Sequence, residues 1–333
     1  MPKIGLTLGK YAPFHYGHKY VIDTAAAEMD YVIVMVYEDD ITPIPVHVRA
    51  NWIRVLYSSC SSKIEVVECY NCPQAVGYTP EITQAHDEYI LKTVGNRGIT
   101  HFYSSEDYGL HVSKALGAID RRVDQGRTTY NISATEIRLD PYRHRVFIPD
   151  NVYRDLIVKV VFLGAESTGK STITKALARR YNTEYMPEYG AEYWLEHQQN
   201  MTLAPEELVT IARRHVEIEN KLLLTSNKFL FIDTNAITTY MYAKDYHGYA
   251  LPELESLAKD CRHRYDITIL CEDDIPYDDT WDRRGLEMRT ATQKKIADEL
   301  EVRGIRFFRI RGSVEERVNA VEDILITTMD MVP

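Results

Sequence analysis

Cysteine is scarce and unpaired in pattern: five in 333 residues (Cys60, Cys69, Cys72, Cys261 and Cys271) are odd in number and too few for a disulfide framework. Cys69 and Cys72 form one C-x-x-C, but no second C-x-x-C or H-x3-H follows to complete a tetrahedral zinc site. Long apolar runs are missing as well. The longest, such as Tyr31 to Tyr37, are strand-sized, well short of the roughly 18 to 20 residues a membrane span requires. The first ten residues lack the basic stretch, apolar core and small-residue cleavage site of an export signal. A cytoplasmic protein without a membrane partner is expected. There is no excess of positive charge either: Lys and Arg total 39 against 49 for Asp and Glu, a net charge of −10. That balance argues against a protein built to grip long nucleic acid, while leaving room for local phosphate sites.

What is present is the composition of a soluble globular protein, 45% hydrophobic and 26% charged. At about 150 residues per domain the length suggests two domains, each large enough for its own core. Ile4 to Leu8 reads as a strand, Gly17 to Met29 as a helix and Tyr31 to Tyr37 as a β-branched strand, a βαβ unit. Strand patterns at Ile64 to Val67 and Ile99 to Tyr103 alternate with helical ones at Val48 to Tyr57 and Ala85 to Val94. After Asp140-Pro141 and Pro149-Asp150 the alternation restarts: strand 158 to 163, helix 170 to 181, a helical stretch 205 to 225, strand Phe229 to Ile232, helix 252 to 259 and strand Ile267 to Leu270. Helix 291 to 303, strand Ile305 to Ile310 and helix 314 to 329 complete it. The expected fold is α/β, two doubly wound parallel-sheet domains over residues 1–150 and 151–333.

The second half carries Gly164-Ala165-Glu166-Ser167-Thr168-Gly169-Lys170-Ser171, which fits G-x-x-x-x-G-K-[ST] and sits between a strand and a helix. Glycines let the backbone wrap an anion, so that successive N–H groups and the helix N-terminus face a phosphate. Lys170 then reaches the β and γ oxygens of ATP and the Ser171 hydroxyl ligates Mg²⁺, with Gly164, Glu166, Ser167, Thr168, Gly169 and Thr172 completing the nucleotide-binding set. Asp233 ends an apolar strand where a metal-side carboxylate is required, unless it only caps the next turn. Arg283 and Arg284, in Asp278 to Gly285, suit a lid that neutralises charge on a transferring phosphoryl group, or a solvated loop. Glu188 follows the first crossover helix and could deprotonate an acceptor hydroxyl, or serve as a helix N-terminal acid.

In the first half, Gly9-Lys10-Tyr11-Ala12-Pro13-Phe14-His15-Tyr16-Gly17-His18 places two histidines where a phosphate would meet a helix N-terminus. Downstream, Ile132-Ser133-Ala134-Thr135-Glu136-Ile137-Arg138 is a hydroxyl-rich helix start with an arginine suited to phosphate oxygens. Together they read as a nucleotidyltransferase site.

H-x-G-H followed by I-S-x-T-x-x-R resembles the nucleotidyltransferase α/β phosphodiesterase superfamily, and the order of adenylyltransferase, short linker and phosphate-loop kinase resembles the NadR-type bifunctional nicotinamide mononucleotide adenylyltransferases and ribosylnicotinamide kinases. The likeness runs through nearly the whole chain and includes Ser104 to Gly109, Asp120-Arg121-Arg122 and Phe147-Ile148-Pro149. It implies a Rossmann-like nucleotidyltransferase fold followed by a P-loop kinase fold. Some family members carry an N-terminal helix-turn-helix repressor domain; here the first strand starts at Ile4, so repressor activity is not expected. The resemblance implies two ATP- and Mg²⁺-using steps, phosphorylation of nicotinamide riboside and adenylylation of nicotinamide mononucleotide to NAD⁺. By motif position His15 and His18 would bind the ATP phosphates, Lys10 would add charge beside Gly9, and Ser133, Thr135 and Arg138 would hold the departing pyrophosphate. Trp52, Trp194 or Trp281 could stack on the nicotinamide ring, with Trp281 favoured in the kinase half. Self-association is left open. The same architecture would serve a phosphopantetheine adenylyltransferase fused to a dephospho-coenzyme A kinase, and a regulator that binds ATP and NAD without turnover is the reading of a different class.

Overall fold

A computed structural model describes residues 2–278 and 286–330. They form two compact units, the first ending at Tyr153 and the second starting at Arg154. In the first, β1 (Ile4–Gly9), α1 (Tyr16–Glu28), β2 (Tyr31–Tyr37), α2 (Val46–Leu56), β3 (Ile64–Cys69), α3 (Pro80–Val94), β4 (His101–Ser104), α4 (Gly109–Leu116), β5 (Ile119–Arg122) and α5 (Ala134–Leu139) follow one another. The helix α6 (Asp150–Leu156) runs across the division. The sheet order is β3-β2-β1-β4-β5, and every neighbouring pair is parallel. β2 reads Tyr-Val-Ile-Val-Met-Val-Tyr because a parallel strand covered on both faces has no solvent side to make polar, and Val32 to Val36 are all buried. Leu6, Ile33, Met35, Ile90, Val94 and Phe102 build the core against it. Cys69 and Cys72 sit in that core as free thiols, and burial pushes the Cys69 thiol up to about 12.

The second unit holds β6 (Val158–Leu163), α7 (Lys170–Tyr181), β7 (Tyr185–Met186), α8 (Tyr189–His197), α9 (Pro205–Leu222), β8 (Phe229–Asp233), α10 (Ala236–His247), α11 (Pro252–Arg264), β9 (Ile267–Cys271), α12 (Leu286–Val302), β10 (Phe308–Ile310) and α13 (Val314–Asp330). Its sheet order is β10-β9-β6-β8-β7, again parallel throughout. The strand expected from Ile305 is confined to Phe308–Ile310, because the Ile305 N–H is spent on the Leu300 carbonyl at 2.9 Å, closing the end of α12. No helix among the described residues is long and apolar enough to cross a membrane.

Both sheets place their first strand where the order reverses, β1 between β2 and β4, and β6 between β8 and β9. In open α/β sheets ligands gather outside the carboxyl end of the strand at such a switch point. The glycine-containing motifs leave those two strand ends.

Candidate functional site

Beyond the end of β1 lies a cavity of about 460 Å³, lined by Gly9, Lys10, His15, His18, Ser133, Thr135 and Arg138 among others. His15 is the N-cap of α1, its Nδ1 accepting the Gly17 N–H at 3.1 Å, which leaves Nε2 as the proton-bearing atom of the neutral ring. The His15 and His18 rings stack with centroids 3.7 Å apart. Burial, then the nearby Arg127 charge, depresses the His15 imidazole to about 4; burial, His15 and Arg127 hold His18 well below its ordinary value. Both rings are therefore neutral near pH 7 until an anion arrives to favour the charged form. His18 Nδ1 is buried without a hydrogen-bond partner, a polar atom awaiting a ligand.

Ser133 caps α5 in a reciprocal box: its Oγ accepts the Glu136 N–H at 3.2 Å and the Glu136 carboxylate accepts the Ser133 N–H at 2.8 Å. One turn on, Arg138 donates to the Thr135 hydroxyl at 3.0 Å and to the Ala12 carbonyl, tying α5 to the loop after β1. Lys10 pairs with Asp39 at 2.5 Å. The two sequence motifs, more than a hundred residues apart, thus share one cavity wall.

The second cavity, of about 760 Å³, opens at the end of β6 and is lined by Gly164 to Thr172 and by Glu188, Trp194, His215 and Arg289 among others. Gly164 has φ +149, and a Cβ there would stand 2.7 Å from both the Cys271 carbonyl and Thr168 Oγ1, so only glycine fits. Gly169 takes φ +81 and starts α7. Lys170 Nζ donates to the Gly164 and Ala165 carbonyls, 3.0 Å each, which parks the ammonium across the mouth of the loop. Ser171 Oγ donates to Asp233 Oδ2, while Asp233 Oδ1 is buried with no partner. Glu188 is the N-cap residue of α8; burial pushes its carboxyl above the usual range, Lys170 opposing and Asp233 adding to the shift. Deeper in the wall, His215 Nε2 lies 3.0 Å from Glu219 Oε1. Burial alone would raise Glu219, but His215, Arg264 and Tyr265 around it hold it low.

Comparison with known proteins follows the same division. Residues 159–317 match the AAA domain family and residues 8–70 match the citrate lyase ligase C-terminal domain. The trifunctional NAD biosynthesis/regulator protein NadR of Salmonella typhimurium (strain LT2) is 30% identical over 331 residues, covering 92% of this chain and 78% of that protein. The chain belongs to the NadR family. The NadR protein of Escherichia coli (strain K12) is 29% identical over 330 residues, with the same coverage, 92% and 78%. A crystal structure of NadR in complex with NR superposes with a TM-score of 0.56 at 21% identity, covering 94% of this chain and 90% of the other. One in complex with NAD and AMP-PNP gives 0.57 at 22%, covering 97% and 96%. At such identities these two structures establish the shared NadR fold.

Several residues that build the two cavities of this NadR-family chain carry no sequence motif. Arg127 lines the first cavity with φ +49, on a turn organised by Asp124, whose carboxylate accepts the Thr128, Thr129 and Tyr130 N–H groups. Arg122, from the Asp120-Arg121-Arg122 segment that the resemblance did include, donates to the Glu106 and Asp107 carbonyls and so holds the Ser104 to Gly109 segment. In the second unit Gln293 accepts the Ala165 N–H and donates to the Cys271 carbonyl, both at 2.9 Å, bracing the phosphate loop. Of the tryptophans, Trp52 is a core residue only 2% exposed and unavailable to a ligand, whereas Trp194 lines the second cavity. Trp281, Arg283 and Arg284 lie outside the described residues.

Proposed function

We propose that the chain makes NAD⁺ in two steps, one per unit: ATP-dependent phosphorylation of nicotinamide riboside in the second cavity and adenylylation of the resulting mononucleotide in the first. The observation that carries the reading is the pairing, within one NadR-family chain, of a stacked neutral His15–His18 pair at one switch point with a G-x-x-x-x-G-K-S loop and a buried Ser171–Asp233 contact at the other. Each set suits a nucleotide triphosphate, and they differ in which phosphorus they serve. The relatives' names, which couple NadR to NAD biosynthesis, support the substrate class.

In the first cavity an oxygen of the mononucleotide phosphate attacks the α-phosphorus of ATP, the bond to the bridging oxygen breaks, and pyrophosphate leaves. No group on the protein need be bonded to phosphorus; alignment and charge stabilisation do the chemistry. His15 Nε2–H and His18 serve as donors that gain charge as negative charge accumulates, since a phosphate beside them restores the proton affinity that burial removed. Arg138 and Thr135 face the same cavity and suit the departing pyrophosphate.

In the second cavity the riboside 5′-hydroxyl attacks the γ-phosphorus, ADP leaves, and the hydroxyl proton passes to Glu188, whose raised carboxyl is the better acceptor. Lys170 turns from the loop carbonyls to the phosphate oxygens. The orphaned Asp233 Oδ1 beside the Ser171 hydroxyl fits a small hard cation that takes its remaining ligands from phosphate and water. Mg²⁺ held there would neutralise the β and γ oxygens. Trp194, which lines this cavity, would suit contact with the nicotinamide ring.

The test is product analysis with ATP and Mg²⁺ and, in separate reactions, nicotinamide riboside, nicotinamide mononucleotide or phosphopantetheine. NAD⁺ from both nicotinamide substrates is the expected result. Dephospho-coenzyme A from phosphopantetheine would overturn the substrate assignment, and nucleotide binding without any product would make the chain a sensor.

A further inference from the structure

Two guanidinium groups are buried behind the phosphate loop of the second unit, Arg317 at 1% exposure and Arg289 at 4%. They are held in different ways. Arg317, on α13, donates to the Thr168, Glu272 and Gly312 carbonyls and is neutralised by the Asp274 carboxylate. Its charge is already answered, and it is a strut. Arg289, on α12, donates to the crest of the loop at the Ser167 carbonyl (3.1 Å) and to the Ile275 carbonyl (3.0 Å). Among the described residues no carboxylate pairs with it, its Nε is buried with no hydrogen-bond partner, and it lines the cavity. Two carbonyl dipoles and the Tyr277 ring, whose centroid lies 5.7 Å from the guanidinium carbon, do not neutralise a buried cation, which without a counter-charge is costly to hold.

We propose that Arg289 is a nucleotide-binding residue of the second site, its charge, which no carboxylate among the described residues answers, reserved for the triphosphate of ATP while its two carbonyl bonds fix the loop crest and the guanidinium's position. The anion it takes is a polyphosphate, since the guanidinium is bonded to the phosphate loop itself at the Ser167 carbonyl. The proposal rests on the second cavity being an ATP site, and extends that reading to a cation outside the motif.

The experiment is calorimetric titration of the full chain with Mg·ATP, the binding event that disappears in Lys170→Ala marking the second cavity. Arg289→Met is expected to weaken that event by about ten-fold or more, the worth of a charge-assisted contact. Arg289→Lys, which keeps the charge and loses the planar fork, should recover a clear part of the loss. Unchanged melting and unchanged adenylylation in the first unit show that the variants are folded. Wild-type-like ATP affinity in Arg289→Met would overturn the inference, as would equal losses in the Met and Lys variants, which would make Arg289 a geometric brace only. If the unsubstituted chain fails to phosphorylate nicotinamide riboside but Arg289→Met still loses ATP, the substrate reading falls and this inference stands. If riboside phosphorylation is robust and Arg289→Met binds ATP normally, only this inference falls.

Discussion

The His15 ring lies folded over Gly17, accepting its N–H at 3.1 Å, and a Cβ on residue 17 would meet that ring at 2.9 Å. The middle glycine of H-x-G-H is therefore what lets the first histidine cap α1 and stack on the second. Gly17→Ala should force the ring away, cost about 1–3 kcal/mol as an overpacked contact, and cut adenylylation of the mononucleotide while leaving riboside phosphorylation intact. Thermal melting and the two assays run in parallel check this.

A second expectation concerns acid. His15 is depressed to about 4 in the folded chain, so the unfolded chain takes up a proton first as pH falls. Its contribution to stability is present above the ordinary histidine value of about 6.5 and lost as pH drops towards 4, an effect of about 3 kcal/mol across that window. His15→Asn keeps a capping acceptor and removes the titration. Calorimetric melts from neutral pH down to pH 4 should show a shallower decline in melting temperature for the variant. Equal slopes would contradict the burial-driven shift.

Asp233 and Ser171 are expected to act through a cation. Asp233→Asn should reduce phosphoryl transfer by about 10²-fold or more, since charge stabilisation at the phosphates is lost, with mononucleotide adenylylation retained. Chelation of divalent ions should stop riboside phosphorylation, and added Mg²⁺ should restore it in the wild type but not in the variant.

Glu188 gives a pH signature. A base whose carboxyl is raised by burial should impose an acidic limb on kcat for riboside phosphorylation that sits above the ordinary carboxylate range. Glu188→Gln should abolish that limb and lower kcat by about 10²-fold. Loss of rate with the limb unchanged would remove Glu188 from the proton's path.

Much of the fold is legible in the sequence. β2, β6 and α7 fall on the bounds their patterns predict, because a buried parallel strand is a continuous apolar run and a phosphate loop fixes where its helix starts. β5 is not: Ile-Asp-Arg-Arg is an edge strand with alternating exposure and no apolar run. β7 has two residues and no period to detect. α10, from which Thr238, Thr239, Tyr242 and Tyr246 line the second cavity, mixes polar and aromatic positions around the helix and leaves no clean apolar stripe. Motif reading found the residues that touch the backbone loops but missed Arg127, Arg289, Gln293 and Arg317. Each is a charged or amide residue that looks like any surface side chain in the sequence, and only the fold brings it to a loop far away in the chain.

That two separate sites carry the two proposed reactions is tested by one paired assay: Lys170→Ala and His18→Ala, each folded by thermal melting, each assayed with nicotinamide riboside and with nicotinamide mononucleotide. Lys170→Ala is predicted to lose riboside phosphorylation and keep NAD⁺ formation from the mononucleotide, and His18→Ala to keep the first activity and lose the second. Loss of both activities in either folded variant would contradict the two-site account.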